Sequence, residues 1–98
     1  MIQNFKTQGT EDIFNGENTA AARRTLPRRL WSVAQRRLDA LNAASELRDL
    51  RVPPGNRLEA LVGDRAGQFS IRINARYRIC FVWTPDGPAQ VEIVDYHK

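Results

Sequence analysis

The sequence predicts an α+β fold, in which N-terminal helices pack on one face of a small, mainly antiparallel sheet. Apolar residues recur at helical spacing in the first half of the chain and alternate with polar residues in the second half. The two halves meet at Val52-Pro53-Pro54-Gly55-Asn56, a segment that stops a helix. A chain of 98 residues is expected to form one domain, residues 1–98.

The first elements of the chain are predicted to be short. Residues 2–6 alternate between apolar and polar side chains, as a short edge strand does. Thr10 is the expected N-cap of a brief helix. Asn15-Gly16 would end that helix, because both residues tolerate a positive φ.

A long amphipathic helix is predicted next. Thr25 can cap it, and Pro27 falls in the first turn, where its missing N–H does no harm. The helix should run to about Ala44, and a turn capped by Ser45 should follow. The apolar stripe of the helix consists of Leu26, Leu30, Val33, Ala34, Leu38 and Leu41. Arg37 projects into this stripe, so we expect it to have a buried partner or to extend its stem to solvent.

Three alternating stretches predict the strands of the second half. The residues that share a face within each stretch are Phe69, Ile71 and Ile73; Tyr77, Ile79, Phe81 and Trp83; and Val91 and Ile93. Asn74-Ala75 and residues 84–88 supply the turns, and residues 58–61 add a short strand that leads into the sheet. Such short turns connect antiparallel neighbours.

The charge of the chain indicates an anionic partner. The net charge is +4, and arginine outnumbers lysine thirteen to two. The guanidinium group is planar and binds phosphate with two hydrogen bonds, so an excess of arginine suits a phosphate-bearing partner. A GC-rich genome would produce the same excess. Charge therefore predicts a nucleic acid or an acidic protein as partner and does not separate the two.

Several classes of protein are excluded by composition. A lone cysteine, Cys80, cannot form an internal disulfide, and with a single histidine it cannot build a transition-metal site. The glycines do not form a phosphate-binding loop, so no small-molecule cofactor is expected. Residues 1–6 lack the apolar stretch of a signal peptide, and the longest apolar run, residues 79–83, is too short to span a membrane. These features favour a cytoplasmic location.

Arginines gather on one face of the predicted sheet. Arg72, Arg76 and Arg78 alternate with the inward-facing residues, and Arg65 arrives from the preceding loop. Arginine side chains on rigid strands could bind a phosphodiester backbone. The alternative is that they are ordinary solvent-facing strand residues.

The C-terminal tripeptide Asp95-Tyr96-His97 holds the titratable groups best suited to catalysis. His97 is the lone histidine, and its side chain ordinarily titrates near neutral pH. The tripeptide follows a predicted strand, so Asp95 and His97 should point to one side and Tyr96 to the other. Asp95 could fix the imidazole, or the three residues could be an incidental polar end. RNA supplies its own nucleophile, the 2′-hydroxyl, so its cleavage needs only a base, an acid and cations, without a metal ion.

Several segments of the chain resemble the HigB toxins, a branch of the RelE-like superfamily of type II toxin–antitoxin systems. The segments are residues 37–41, 50–61, 63–67, 70–74, 77–79 and 95–97. The resemblance covers most of the second half of the chain at the spacing that the family shows.

The resemblance implies a RelE-like small ribonuclease fold and an endoribonuclease that cleaves messenger RNA on the ribosome and so inhibits translation. It also implies neutralisation by a HigA-like helix-turn-helix antitoxin. Carried over by position, His97 would be the general acid or base, Asp95 and Tyr96 would orient substrate and histidine, and Arg78 would contact the scissile phosphate. The expected RNA-binding residues are Arg57, Arg65, Arg72 and Arg76.

Two positions depart from the family pattern. One form of the family has a histidine five residues before the pair Asp64-Arg65, where this chain has Glu59. Many relatives have a lysine immediately before Gly63, where this chain has Val62. Glu59 could act as a catalytic base or merely pair with an arginine. These departures leave open a weakened or non-catalytic relative that binds antitoxin or ribosome. Scattered acid–base groups on an arginine face also leave open a ribonuclease that needs no ribosome.

Overall fold

Three helices and four strands build the part of the chain that the computed structural model describes, residues 1–96. The helices are α1 (Gln8–Phe14), α2 (Ala20–Thr25) and α3 (Trp31–Ala43). The strands are β1 (Glu59–Ala60), β2 (Phe69–Arg72), β3 (Tyr77–Thr84) and β4 (Gly87–Asp95). Short 3₁₀ turns lie at Arg28–Leu30, Leu47–Arg51, Pro54–Asn56 and Gly63–Arg65. The predicted α+β class and the order of its two halves are confirmed.

The sheet has the order β1-β2-β3-β4, and every neighbouring pair of these strands is antiparallel. The predicted edge strand at residues 2–6 is reduced to one parallel bridge, between Phe5 and Val91. Backbone hydrogen bonds still attach this segment to β4: the Lys6 N–H donates to the Val91 carbonyl at 2.9 Å, and the Gln3 N–H donates to Pro88 at 2.8 Å. The N-terminal segment therefore lies along the outer side of β4.

The core lies between the helices and one face of the sheet. The predicted apolar stripe supplies the fully buried Ala34, Leu38 and Leu41, which share one apolar cluster with Ile79 and Phe81 of β3. This packing follows from the sequence pattern, because helical spacing places the apolar residues on one side of α3 and strand alternation places them on one face of the sheet. None of the described helices has the length and hydropathy needed to cross a membrane.

Arg37 has a backbone partner at the border of the core, as the sequence suggests. Its Nε donates a hydrogen bond to the carbonyl of Arg72, the last residue of β2, at 3.2 Å. The side chain is half-buried, so the guanidinium connects α3 to the sheet without being removed from water.

The prediction that Thr10 caps the first helix is wrong. Thr7 is the N-cap, and its hydroxyl accepts a hydrogen bond from the Thr10 N–H at 3.4 Å. Thr10 is fully buried one turn further along, where its hydroxyl accepts a hydrogen bond from the backbone N–H of Ile93 at 3.0 Å. This contact with β4 places Thr10 inside the helix rather than at its start.

The long helix begins later than predicted, so Thr25 is not its cap. Thr25 is the last residue of a separate helix, α2, which Thr19 caps by accepting from the Ala22 N–H at 3.1 Å. Leu26 is extended, as expected for a residue before proline, and so the helical path breaks at Pro27. α3 starts at Trp31 and ends at Ala43, close to the predicted end.

The turn after α3 exists, but Ser45 does not cap it. Glu46 is its N-cap, and the Asp49 carboxylate accepts hydrogen bonds from the N–H groups of Ser45 and Glu46, both at 3.0 Å. The Asp49 carboxylate therefore satisfies two backbone donors at the start of the turn.

Candidate functional site

The sheet face opposite the helices carries polar side chains that the strand register brings together. Ser70 of β2 lies opposite Glu59 on one side and Cys80 on the other, and Cys80 lies opposite Glu92 of β4. Arg78 lies one pair further along β3 and points to the same face. We call this surface the polar sheet face.

Arg78 is the centre of the polar sheet face, and it is less exposed than the alternation of the strand predicts. Its side chain is 10% exposed. Nε donates to the Ser70 hydroxyl at 2.7 Å, and Nη2 donates to the backbone carbonyl of Arg57 at 2.7 Å. Burial of a charged group is costly unless hydrogen bonds replace water, and these two acceptors do so.

The charge of Arg78 is balanced by Glu59. Oε1 of Glu59 lies 3.6 Å from Nη1 of Arg78, beyond hydrogen-bond distance. The Glu59 side chain is 55% exposed and comes from the two-residue edge strand β1. The structure therefore brings two of the predicted catalytic residues together, with Glu59 on the open side of the guanidinium and only loosely paired.

Arg57 contributes its backbone to the site, which the sequence does not predict. The residue adopts a left-handed conformation with φ 47° and ψ 56°, and its carbonyl accepts from Arg78. The buried Asn56 beside it donates to the carbonyls of Leu50 and Val52 and so fixes the loop. The Arg57 residue is exposed, and its contact to RNA stays a prediction.

Tyr96 covers one side of Arg78. The Cζ of Arg78 lies 5.8 Å from the centre of the Tyr96 ring, within the range of a cation–π contact. The Tyr96 N–H donates to the carbonyl of Arg76 at 2.6 Å, which continues the pairing beyond the end of β4. A third predicted catalytic residue thus lies at the same site.

Asp95 points away from Tyr96, as the alternation predicts. Its carboxylate accepts hydrogen bonds from Nε of Arg76 at 3.0 and 3.1 Å and from Nη2 at 2.7 Å. The hydrogen bond to Asp95 raises the pKa of Arg76 above its ordinary value. The predicted contact between Asp95 and His97 stays a prediction, because His97 lies outside the described residues.

A second ion pair lies on the polar sheet face beside Cys80. Nη1 of Arg65 donates to Glu92 at 2.9 Å and to Gln68 at 3.1 Å, and Nζ of Lys6 lies 3.7 Å from the same Glu92 oxygen. The hydrogen bond to Glu92 raises the pKa of Arg65. Burial raises the pKa of the Cys80 thiol.

Arg72 completes the set of predicted arginines. It lies directly opposite Arg78 in the sheet and is half-buried. Within residues 1–96, no three His, Cys, Asp or Glu side chains lie close enough to hold a metal ion. The polar sheet face therefore presents cations and one loosely held carboxylate, an arrangement suited to an anionic ligand.

The sequence analysis misses three contributors to the site: the Ser70 hydroxyl, the Arg57 carbonyl and Glu92. In the sequence, Ser70 looks like an ordinary outward-facing strand residue. The direction of a backbone carbonyl cannot be predicted from sequence. Glu92 could be found, because it alternates with the inward-facing Val91 and Ile93 on the same side as Arg78.

Comparison with known proteins finds one family model that matches nearly the whole chain and one relative that matches all of it. A family model described as the RelE-like toxin of the type II toxin–antitoxin system HigB matches residues 3–97. Toxin HigB-1 of Vibrio cholerae serotype O1 is 38% identical over 98 residues, which is all of this chain and 99% of that protein. An uncharacterized protein of Haemophilus influenzae is 39% identical over 56 residues, 57% of this chain and 55% of that protein.

A solved structure described as a YoeB/ParE toxin from Agrobacterium tumefaciens matches 97% of this chain and 98% of its own, at 20% identity and a TM-score of 0.47. The family model and the full-length match to the Vibrio toxin decide the assignment. The chain belongs to the HigB-like family of RelE-like toxins, and it is the toxin of a type II toxin–antitoxin system, which implies an antitoxin partner.

Proposed function

We propose that this toxin is an endoribonuclease that cleaves messenger RNA on the ribosome and so inhibits translation. The observation that carries the proposal is the way in which the protein holds the guanidinium of Arg78. Two neutral acceptors fix its guanidinium at 2.7 Å each, and the remaining nitrogen faces a carboxylate 3.6 Å away that a phosphate can replace.

Arg78 is suited to stabilise the transition state of phosphodiester cleavage. Negative charge builds up on the phosphorane oxygens as the 2′-oxygen attacks, and a cation already held in place needs no reorganisation to meet it. Nη1 retains donors on the side of Glu59, because Nε and Nη2 are used within the protein. Arg78 is the proposed ligand of the scissile phosphate.

The proposed reaction is acid–base catalysis without a metal ion or small-molecule cofactor. A base removes the proton of the 2′-hydroxyl, and the 2′-oxygen forms a bond to phosphorus. The bond from phosphorus to the 5′-oxygen breaks, and an acid gives that oxygen its proton. The products are a 2′,3′-cyclic phosphate and a 5′-hydroxyl.

Two residues are proposed to move these protons, Glu59 and His97. Glu59 is supported by its place beside Nη1 of Arg78 and by its exposure. His97 is supported by the family resemblance and by the ordinary pKa of histidine. Tyr96 is proposed to orient the substrate next to Arg78, and Asp95 is proposed to orient His97.

The RNA strand is proposed to run over Arg57, Arg65, Arg72 and Arg76. Arg57 is exposed and Arg72 is half-buried beside Arg78. Arg65 and Arg76 are engaged with Glu92 and Asp95, so each would exchange or share its carboxylate when it meets a phosphate. Binding to RNA should therefore be strongly dependent on salt.

The proposed partners are the ribosome, messenger RNA and a HigA-like helix-turn-helix antitoxin, and the proposed location is the cytoplasm. The family supports an antitoxin of some kind. The helix-turn-helix class and the ribosome come from the resemblance of the sequence.

The proposal is tested with purified ribosomes that carry a synthetic messenger RNA. We expect cuts within the message, 2′,3′-cyclic phosphate ends, and loss of cutting in the variants Arg78→Ala and His97→Ala. Arg24→Ala is the matched control, because Arg24 is exposed on α2 and its side chain makes no hydrogen bond or ion pair within residues 1–96.

Three outcomes contradict the proposal in different ways. Equal cutting by His97→Ala would remove that residue from the mechanism. Equal cutting of naked RNA would show a ribonuclease that needs no ribosome. An absence of cutting, together with normal growth of cells that express the toxin without antitoxin, would show a binding module.

A further inference from the structure

A groove lies on the side of the sheet opposite the polar sheet face, at the β1 edge. It has a volume of about 360 Å³ and is lined by Leu47, Arg48, Arg51, Leu58, Ala60 and Phe69. Phe69 pairs with the fully buried Phe81, which places the floor of the groove on the face that the helices cover. The 3₁₀ turn Leu47–Arg51 supplies three of these lining residues and forms one side of the groove.

The floor of the groove is apolar and mostly aliphatic. Leu58 and Leu47 pack against the core from outside, and Phe69 is stacked on Phe81 with ring centres 6.2 Å apart. Two apolar residues close to the lining residues in sequence are strongly exposed. Val52, which follows Arg51, is 73% exposed, and Val62, two residues after Ala60, is 85% exposed. Exposed apolar residues together with an apolar groove are features of sites of protein association.

The rim of the groove is positive. The guanidinium of Arg48 is already paired with Glu46 at 3.0 Å. Arg51 is exposed, and its side chain makes no hydrogen bond or ion pair within the described part of the chain. A partner with an apolar side and a carboxylate beside it would bury the floor and pair with Arg51.

We propose that this groove binds an acidic, amphipathic segment of the antitoxin. The inference rests on the antitoxin partner that the family implies, so it does not depend on RNA cleavage. RNA fits the groove less well, because nucleotides prefer open aromatic surfaces, whereas the one aromatic ring here is stacked on Phe81. The groove also lies across the sheet from Arg78. An antitoxin bound there would leave the polar sheet face uncovered.

The test measures binding of the protein encoded by the neighbouring reading frame, by calorimetry. Arg51→Glu reverses the charge at the rim, and Ala60→Trp fills the groove from its floor. We expect each change to weaken binding at least about tenfold.

Arg24→Glu is the matched control, because it changes the net charge by the same amount on α2. That helix packs on α1, which contacts β4 at the far edge of the sheet from β1. This control should bind within about twofold of the unmodified toxin. Thermal unfolding of each variant checks the fold. If Ala60→Trp is destabilised, the binding affinity of Arg51→Glu alone tests the proposal.

The same variants are tested against a short single-stranded RNA. We expect Arg51→Glu and Arg24→Glu to weaken RNA binding equally, because both lose the same charge. The proposal is overturned if the neighbouring protein does not bind the unmodified toxin, if Arg51→Glu binds it as tightly as Arg24→Glu does, or if Arg51→Glu selectively weakens RNA binding instead. Loss of RNA cleavage with this binding pattern intact would refute only the proposed function.

Discussion

The hydroxyl of Ser70 accepts a hydrogen bond from Nε of Arg78 across the β2–β3 pair at 2.7 Å, and Ser70 is fully buried. The register of β2 and β3 fixes the Cα positions of Ser70 and Arg78, so the sheet determines the orientation of the guanidinium. The Arg57 carbonyl holds the same group from the opposite loop. Arg78 therefore keeps its orientation before any ligand arrives.

Ser70→Ala is expected to weaken both stability and activity. The variant leaves a buried donor of Arg78 without its partner, at a cost of about 1–3 kcal/mol in the free energy of unfolding. A guanidinium released from one of its two anchors should also lower kcat at least about tenfold, with a smaller effect on KM. Urea unfolding and cleavage on ribosomes measure the two effects.

Ser32→Ala is the matched control for Ser70→Ala, since Ser32 is exposed on α3. It should change neither measurement. A Ser70→Ala protein with the expected loss of stability and an unchanged kcat would show that Ser70 supports the fold and does not position Arg78.

Glu59→Gln separates the two roles open to Glu59. If Glu59 moves a proton, the amide should abolish most cleavage, by about 100-fold or more, while RNA binding is kept. If Glu59 only balances the charge of Arg78, the amide should leave cleavage in place and tighten RNA binding, since the competing carboxylate is gone. Single-turnover cleavage and RNA-binding measurements distinguish these two roles of Glu59.

The control for Glu59→Gln is Glu17→Gln, which makes the same change on an exposed residue after α1. Because its charge change is identical, any gain in RNA affinity that both variants share is a general electrostatic effect. Full cleavage by Glu59→Gln would remove Glu59 from the catalytic mechanism.

Asp12 is expected to make stability depend on pH in the acid range. Its carboxylate accepts hydrogen bonds from the Thr19 hydroxyl at 2.6 Å and the Gln8 amide at 2.7 Å, and these bonds lower its pKa. A carboxylate whose pKa is lowered by folding stabilises the protein at pH values above its pKa in the unfolded chain, which is about 3.9 for aspartate. That contribution is lost as the pH falls through the folded value.

The stability lost in Asp12→Asn should therefore be largest near neutral pH and should shrink below about pH 4. Urea unfolding at a series of pH values measures the difference. Asp39→Asn is the control, because Asp39 is exposed and its carboxylate makes no hydrogen bond within residues 1–96. A constant difference for Asp12→Asn over the whole range would show that its charge is not the stabilising feature.

Gly9→Ala is expected to destabilise the contact between α1 and α2. A Cβ at this position would overlap Oγ1 of Thr25 and lie 2.6 Å from the carbonyl oxygen of Ala21. Overpacking of this kind costs about 1–3 kcal/mol in the free energy of unfolding. Gly55→Ala is the control, because its Cβ would meet only Nη2 of Arg37 at 4.0 Å. Equal losses in the two variants would contradict the close approach of the helices.

Cys80 is expected to resist alkylation in the native protein. The thiol is fully buried, and burial raises its pKa, so both access and the thiolate fraction are reduced. Labelling with iodoacetamide at pH 8 should be slow in buffer and rapid in urea, where the fold is lost. Since Cys80 is the lone cysteine, mass spectrometry gives an unambiguous count. Equal rates in both conditions would contradict the burial.

The class of the fold could be predicted because each half of the chain repeats one simple period. Alternation fixes which face of β3 is buried, and helical spacing fixes the stripe of α3. The helix starts could not be predicted, because competing caps look alike in sequence. Thr7 and Thr10 are equally good caps, and tertiary contact of Thr10 with Ile93 decides between them.

Much of the candidate site could be named from sequence, but its geometry could not. Arg78, Glu59 and Tyr96 do meet on one face, as strand alternation and the family resemblance suggest. The burial of Arg78 depends on a carbonyl of Arg57 that is presented by a left-handed residue. Alternation describes the two sides of a strand and contains no information about which loop will fold over one of them.

The hydrogen bonds of residues 3–6 along β4 have a consequence for self-association. β4 is the longest of the described strands, and its outer side would otherwise offer a row of unpaired backbone groups to another chain. The N-terminal segment occupies part of that row through Gln3 and Lys6. Removal of residues 1–6 should thus leave β4 free to pair edge to edge with β4 of a second copy, and light scattering would detect the larger species.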